Sequence, residues 1–98
     1  MSYLGTNNNK PATSNILIMI LEIVTPDKKI YSGSVKLVQV PGADGSFEIL
    51  KNHAPIISTL VKGKVRVVEE DDTEKLFEID KGVLEMNKNK IILLAEKI

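Results

Sequence analysis

From Val40 to Pro55 one short apolar run, Phe47 to Leu50, is held between Gly42 and Gly45 on one side and Pro55 on the other, with Pro41 opening the stretch. The backbone there must turn, form one strand and turn again. Both glycines are read as supplying positive φ, and both prolines as fixing φ and withdrawing ladder donors. Such a segment is expected to leave its sheet and return at a set angle, carrying Asp44, Ser46, Glu48, Asn52 and the only histidine, His53. It is the first place to look for contact with another molecule.

The rest of the chain reads as strand. Nine runs carry the pattern: Ile20 to Thr25, Lys29 to Ser32, Ser34 to Val40, Ser46 to Leu50, Ile56 to Leu60, Lys64 to Glu70, Glu74 to Asp80, Val83 to Met86 and Lys90 to Glu96. Turn residues separate them, and no window holds a helical apolar stripe for two turns. Short strands at this spacing predict an all-β chain: a small two-sheet β-sandwich of about eight to ten strands, occupying residues 19–98 as one domain. Residues 1–18 are expected to form a disordered leader or a non-native extension, since they offer almost nothing to bury.

Two departures from simple alternation are informative. In Val35 to Val40 the apolar set changes face at Leu37 and Val38, which predicts a bulge or a strand covered on both sides. Ile91 to Ala95 is apolar on both faces, and Ile56–Ile57 and Leu60–Val61 raise the same question. A two-layer sandwich cannot bury both faces of such strands, so a protein partner is expected to cover the outside.

Chemistry is limited by what the chain lacks. Lys plus Arg and Asp plus Glu both number 13, so no overall field draws in nucleic acid or an anionic membrane. There is no cysteine, which excludes disulfides and thiolate metal sites. The apolar run from Ile16 to Leu21 is far shorter than the roughly 20 residues of a membrane helix. One histidine and scattered carboxylates predict no catalytic residue, no metal site and no cofactor; Asp44 and Glu48 read as loop carboxylates in water rather than an acid–base pair. The spacing from Gly42 to Gly45 is too short for a phosphate loop. His53 has two readings, a turn residue bonded to backbone, or a contact residue or pH-sensitive group. Glu69 to Asp72 reads as a solvated hairpin tip. Lys88, between Asn87 and Asn89, stands where biotinyl and lipoyl carrier domains present their modified lysine, but without flanking methionines, and the tolerance of asparagine for positive φ accounts for such a turn.

Pro41 to Leu50, followed by His53-Ala54-Pro55, resembles the N-terminal β-sandwich domain of the epsilon subunit of the F-type ATP synthase. Leu21 to Asp27 with Tyr31 to Gly33, Lys62 to Val67, and Gly82 to Met86 with Asn89 and Ile91 to Glu96 extend the resemblance over residues 19–97. It implies a non-catalytic rotor subunit of the central stalk, on the cytoplasmic side of a bacterial plasma membrane, that joins the gamma subunit to the c-ring and couples ion-driven rotation to ATP synthesis. No small-molecule substrate, nucleic acid or direct membrane insertion is implied. Carried onto this chain, the c-ring contacts fall on Pro41, Gly42, Asp44, Gly45, Ser46, Glu48 and His53, and the gamma contacts on Thr25, Ile57, Ser58 and Leu60. The alternative is a carrier domain modified at Lys88. Three departures stand out: Lys51–Asn52 replaces a common Pro-Gly, Lys81–Gly82 replaces two glycines, and the sequence stops at Ile98, where bacterial relatives commonly continue into two helices. From the last comes the expectation of a subunit that couples but does not inhibit hydrolysis through such helices.

Overall fold

The structure is a computed structural model that describes residues 18–96. The expected leader therefore lies outside the described residues, except for Ile18. Eight strands follow in chain order: β1 (Met19–Val24), β2 (Lys29–Gly42), β3 (Gly45–Leu50), β4 (Ile56–Leu60), β5 (Gly63–Glu69), β6 (Glu74–Ile79), β7 (Gly82–Asn87) and β8 (Lys90–Ala95). No helix occurs among the described residues.

All eight strands join one continuous hydrogen-bonded network that folds back over a single core. The first part of β2 pairs antiparallel with β1, and β1 lies parallel to β8, with Ile20 opposite Lys90 and Val24 opposite Leu94. β8 pairs with β7 and β7 with β4, both antiparallel. The circuit returns to β2 where Leu60 of β4 meets Gly42. β5 and β6 extend from the middle of β2, and β3 pairs along its last residues. The first and last strands are thus neighbours, which closes the fold across its longest sequence separation.

Strand alternation explains where the core sits. Side chains on successive strand residues point to opposite faces. In β1 the inward set is Met19, Leu21 and Ile23; in β7 it is Leu84 and Met86; in β8 it is Ile91, Leu93 and Ala95, all buried. Val35, Val38 and Val40 of β2, Ile49, Leu60, Val65, Val67 and Ile79 complete the cluster.

The sequence divides residues 29–40 into two runs at Gly33, but the structure keeps them as one 14-residue strand. The reason is packing: Tyr31 folds its ring over Gly33, where a β-carbon would come within 2.8 Å of the phenolic oxygen. The glycine leaves room for a side chain and does not interrupt the ladder. The expected bulge is present, since the register against β5 shifts between Val35 and Leu37. Lys36 and Leu37 separate two inward valines, Val35 and Val38, which re-aims the second half of β2. One strand thereby serves both layers, because a bulge bends its direction without ending its pairing.

Candidate protein interface

The stretch from Pro41 to Glu48 does not leave the sheet. β2 runs through Gly42, β3 begins at Gly45, and these two residues face each other across a tight hairpin whose tip is Ala43–Asp44. The two glycines have different jobs. Gly45 has φ +127°, a conformation that side-chain-bearing residues rarely adopt, whereas Gly42 does not have positive φ. Gly42 is buried, and a β-carbon there would lie 2.8 Å from both the Gly45 carbonyl oxygen and Phe47 Cε1. The tip is fastened to β4: Ala43 N–H donates to the Thr59 carbonyl at 3.0 Å, and Val61 N–H to that of Pro41 at 2.9 Å.

This hairpin and β4 border a groove of about 560 Å³, lined among others by Asp44, Ser46, Phe47, Ile57 and Ser58. Residues assigned from sequence to two different partners therefore border one groove, where the hairpin tip meets the edge of β4. Asp44, Gly45 and Ser46 are exposed there, and Pro41 is half-buried behind the tip. Glu48 is directed elsewhere. Arg66 holds it at 3.6 Å, donates to Glu74 at 2.7 Å, and donates from Nε to Gln39 Oε1 at 3.0 Å, so Glu48 belongs to a charged row across β3, β2, β5 and β6.

His53 lies at the other end of β3. The strand holds six residues, so at about 3.4 Å per residue its turn stands roughly 20 Å from the hairpin tip. Asp44 and His53 are near in sequence and far apart on the molecule. The turn is closed by a bond from His53 N–H to the Leu50 carbonyl at 3.1 Å, with Asn52 at φ +66°. Asparagine here fills the left-handed position that glycine otherwise favours, which is how Lys51–Asn52 stands in for Pro-Gly. His53 Nδ1 lies 2.7 Å from the Ala54 carbonyl oxygen. That oxygen only accepts, so Nδ1 donates to it. Both readings of His53 are therefore compatible: Nδ1 orders the turn, and the half-buried side chain keeps part of its surface open.

The remaining contacts drawn from sequence separate further. Thr25 organises the β1–β2 turn; its Oγ1 donates to the Lys28 carbonyl at 3.2 Å and accepts from the Lys28 amide at 3.2 Å. Ser58 is half-buried. Leu60 corrects the sequence assignment: it is 1% exposed and packs in the core, because β4 turns Ile56, Ser58 and Leu60 inward and Ile57 and Thr59 outward. Ile57, at 74% exposed, is the most exposed large apolar side chain among the described residues.

Strand register adds residues that sequence assignment left out. Val24, Leu94, Val83 and Thr59 form one row across β1, β8, β7 and β4, and Glu22, Ile92, Glu85 and Ile57 form the next. Leu94, Val83, Ile92 and Ile57 are exposed, so this outer face is apolar. The adjacent apolar pairs Val83–Leu84 and Leu93–Leu94 were the available signal, since one member of each must face out. Lys81, where a second glycine is common, is exposed and reaches Glu96 at 3.8 Å.

Titratable chemistry gathers at neither surface. No group of three or more metal-ligating side chains occurs among the described residues. Clear pKa displacements belong to Tyr31, Lys36 and Asp71, which lie away from the hairpin tip, the His53 turn and the apolar face. Lys88 and Asn89 take φ of +51° and +62° in the β7–β8 turn. The turn geometry accounts for the Asn-Lys-Asn sequence without a modified lysine.

A family model described as ATP synthase, Delta/Epsilon chain, beta-sandwich domain matches residues 18–98. The ATP synthase epsilon chain of Chlorobium limicola is 47% identical over 78 residues, covering 80% of this chain and 89% of the relative. That of Caulobacter vibrioides is 42% identical over 74 residues, covering 76% and 85%. Against the epsilon chain of Campylobacter lari, 39% identical, the match covers 81% of this chain but 61% of the relative. Among solved structures, a chain of the Euglena gracilis mitochondrial ATP synthase, in a structure of its OSCP, F1 and c-ring, superposes with TM-score 0.76 at 18% identity, covering 81% of this chain and 51% of that one. A chain from the Tetrahymena thermophila mitochondrial ATP synthase central stalk and c-ring gives 0.68 at 14% identity, covering 81% and 63%. With an all-β fold, a family match over all the described residues and relatives of this identity, the chain belongs to the ATP synthase delta/epsilon family, as a β-sandwich domain of the epsilon-chain type.

Proposed function

We propose that this chain is a non-catalytic rotor subunit of an F-type ATP synthase, in the central stalk on the cytoplasmic side of a bacterial plasma membrane, where it joins the gamma subunit to the c-ring. Its task is mechanical: torque passes through a rigid body held at two surfaces. The outer face of β1, β8, β7 and β4 meets gamma, and the polar turn surfaces at Asp44–Ser46 and His53 meet the c-ring. No side chain performs chemistry.

The observation that carries this reading is the set of exposed apolar residues Ile57, Val83, Ile92 and Leu94, which lie in two adjacent rows of one sheet face. Four large apolar side chains on one sheet face are a surface that another protein covers, with Glu85 and Glu22 interleaved in the row of Ile57 and Ile92. Binding to the gamma subunit from the same genome tests it. Ile57→Asp is expected to weaken binding at least tenfold while the melting temperature stays close to wild type, because Ile57 already faces water. Equal binding by the variant would remove the apolar face from the interface.

A further inference from the structure

The β3–β4 turn, which carries His53, makes one local backbone bond, from His53 N–H to the Leu50 carbonyl. Besides the ion pair of Lys51 with Glu70 at 3.0 Å, what holds it in place comes from 37 residues away: the Asn89 side chain accepts from the Asn52 amide through Oδ1 at 2.6 Å and donates through Nδ2 to Asn52 Oδ1 at 3.0 Å. The two asparagines form a closed ring of hydrogen bonds between the β3–β4 and β7–β8 turns. Asn89 is itself anchored, since its carbonyl accepts from Ile20 N–H at 2.9 Å. It is half-buried and follows Lys88 in a turn with two consecutive left-handed residues.

We propose that Asn89 is a positioning residue for His53. The reciprocal amide pair fixes the turn at Asn52, one residue before the histidine, against the frame of β1 and β8, so that the half-buried His53 ring is presented at a set place and angle. Asparagine suits this task because one short side chain both donates and accepts; aspartate accepts only. The fixed turn removes an ordering cost that binding would otherwise meet. This proposal rests on the reading that His53 meets the c-ring.

Asn89→Gly separates positioning from folding. Glycine adopts the left-handed turn at least as readily as asparagine, so the hairpin persists while the two bonds to Asn52 are lost. The full chain, immobilised, is titrated with detergent-purified c-ring from the same organism as wild type, Asn89→Gly, His53→Ala and the double variant. Hydrogen exchange at the Asn52 amide reports whether the turn has been released. Each single variant is expected to bind about tenfold more weakly, a loss on the scale of one or two hydrogen bonds, and Asn52 exchange to accelerate in Asn89→Gly. The double variant is expected to bind no worse than His53→Ala, because Asn89 acts through His53.

Wild-type affinity in Asn89→Gly, with faster Asn52 exchange, would overturn the positioning role while leaving the His53 contact intact. Fully additive losses would also overturn it, since Asn89 would then act independently. If His53→Ala binds as wild type does, or wild type does not bind the c-ring, the c-ring reading itself fails and the proposal falls with it. Asn52→Gly, which keeps the amide and the left-handed φ but removes Oδ1, guards against an unfolded variant and is expected to reproduce the partial loss.

Discussion

Tyr31 donates its phenolic proton to Glu69, 38 residues further along, and so ties the first half of β2 to the end of β5. The same ring packs edge-on against Phe77, with centroids 5.6 Å apart, and lies under the ammonium of Lys75 at 5.8 Å. Gly33 makes this possible by offering no side chain beneath the ring. Gly33→Ala is expected to cost about 1–3 kcal/mol in urea unfolding, the usual penalty for crowding a packed site. In a Tyr31→Phe background the penalty is expected to shrink, because the atom 2.8 Å from the new β-carbon is then gone. Additive penalties would show that the hydroxyl is not what the β-carbon chiefly meets.

The Tyr31 phenol also sets a pH dependence. Burial and then the hydrogen bond to Glu69 raise its pKa well above the ordinary tyrosine value. A group whose folded pKa is raised contributes stability that is fully present below its unfolded pKa, about 10, and is lost as pH rises towards the folded value. Stability is therefore expected to fall above about pH 10, and Tyr31→Phe to lose less over the same interval. Chemical denaturation between pH 8 and 11, roughly spanning the phenol's ordinary titration, measures this. Parallel curves for the two proteins would contradict it.

Leu93 and Leu94 test the two faces of β8 directly. Leu93 is 0% exposed and Leu94 is 48% exposed. Leu93→Ala is expected to cost about 2–5 kcal/mol through lost burial and a residual cavity. Leu94→Ser is expected to stay within about 0.5 kcal/mol of wild type in the isolated chain. Thermal and urea unfolding distinguish them, and similar losses from both would place Leu94 inside.

Arg66, the only arginine in the sequence, reaches Gln39, Glu48 and Glu74. The side chains are partly exposed, at 32%, 46% and 53% for Arg66, Glu48 and Glu74, so solvent weakens the pairs. Arg66→Met is expected to cost no more than about 1 kcal/mol, and less as salt is raised towards roughly 1 M. A larger, salt-independent loss would mean that its aliphatic stem carries the effect by packing.

The strands and most turns are legible in the sequence because their causes are local. Alternation of apolar and polar residues in Val65 to Val67 and Leu76 to Ile79 follows from a repeat of two residues per strand period. The acidic run from Glu69 to Asp72 turns because β5 ends and β6 must begin antiparallel to it, with Asp72 at φ +71°. Even the bulge at Lys36 left a trace, as two adjacent apolar residues where one was expected. Surplus apolar residues on β8 likewise announced an outer surface in need of a partner.

Tertiary structure decided what lies next to what. Gly33 reads as a break until Tyr31 is seen to occupy the space above it, and Leu60 reads as a contact until β4 is docked and turns it inward. Asp44 and His53 are nine positions apart and at opposite ends of a strand, while Asn52 and Asn89 are 37 apart and hydrogen-bonded. The sequence by itself determines that this is an all-β chain, where its strands turn, and that it has apolar surface to spare. Which face of each strand meets the core, and which turns meet each other, depends on pairing between distant segments, and local sterics and periodicity carry no record of the partner strand.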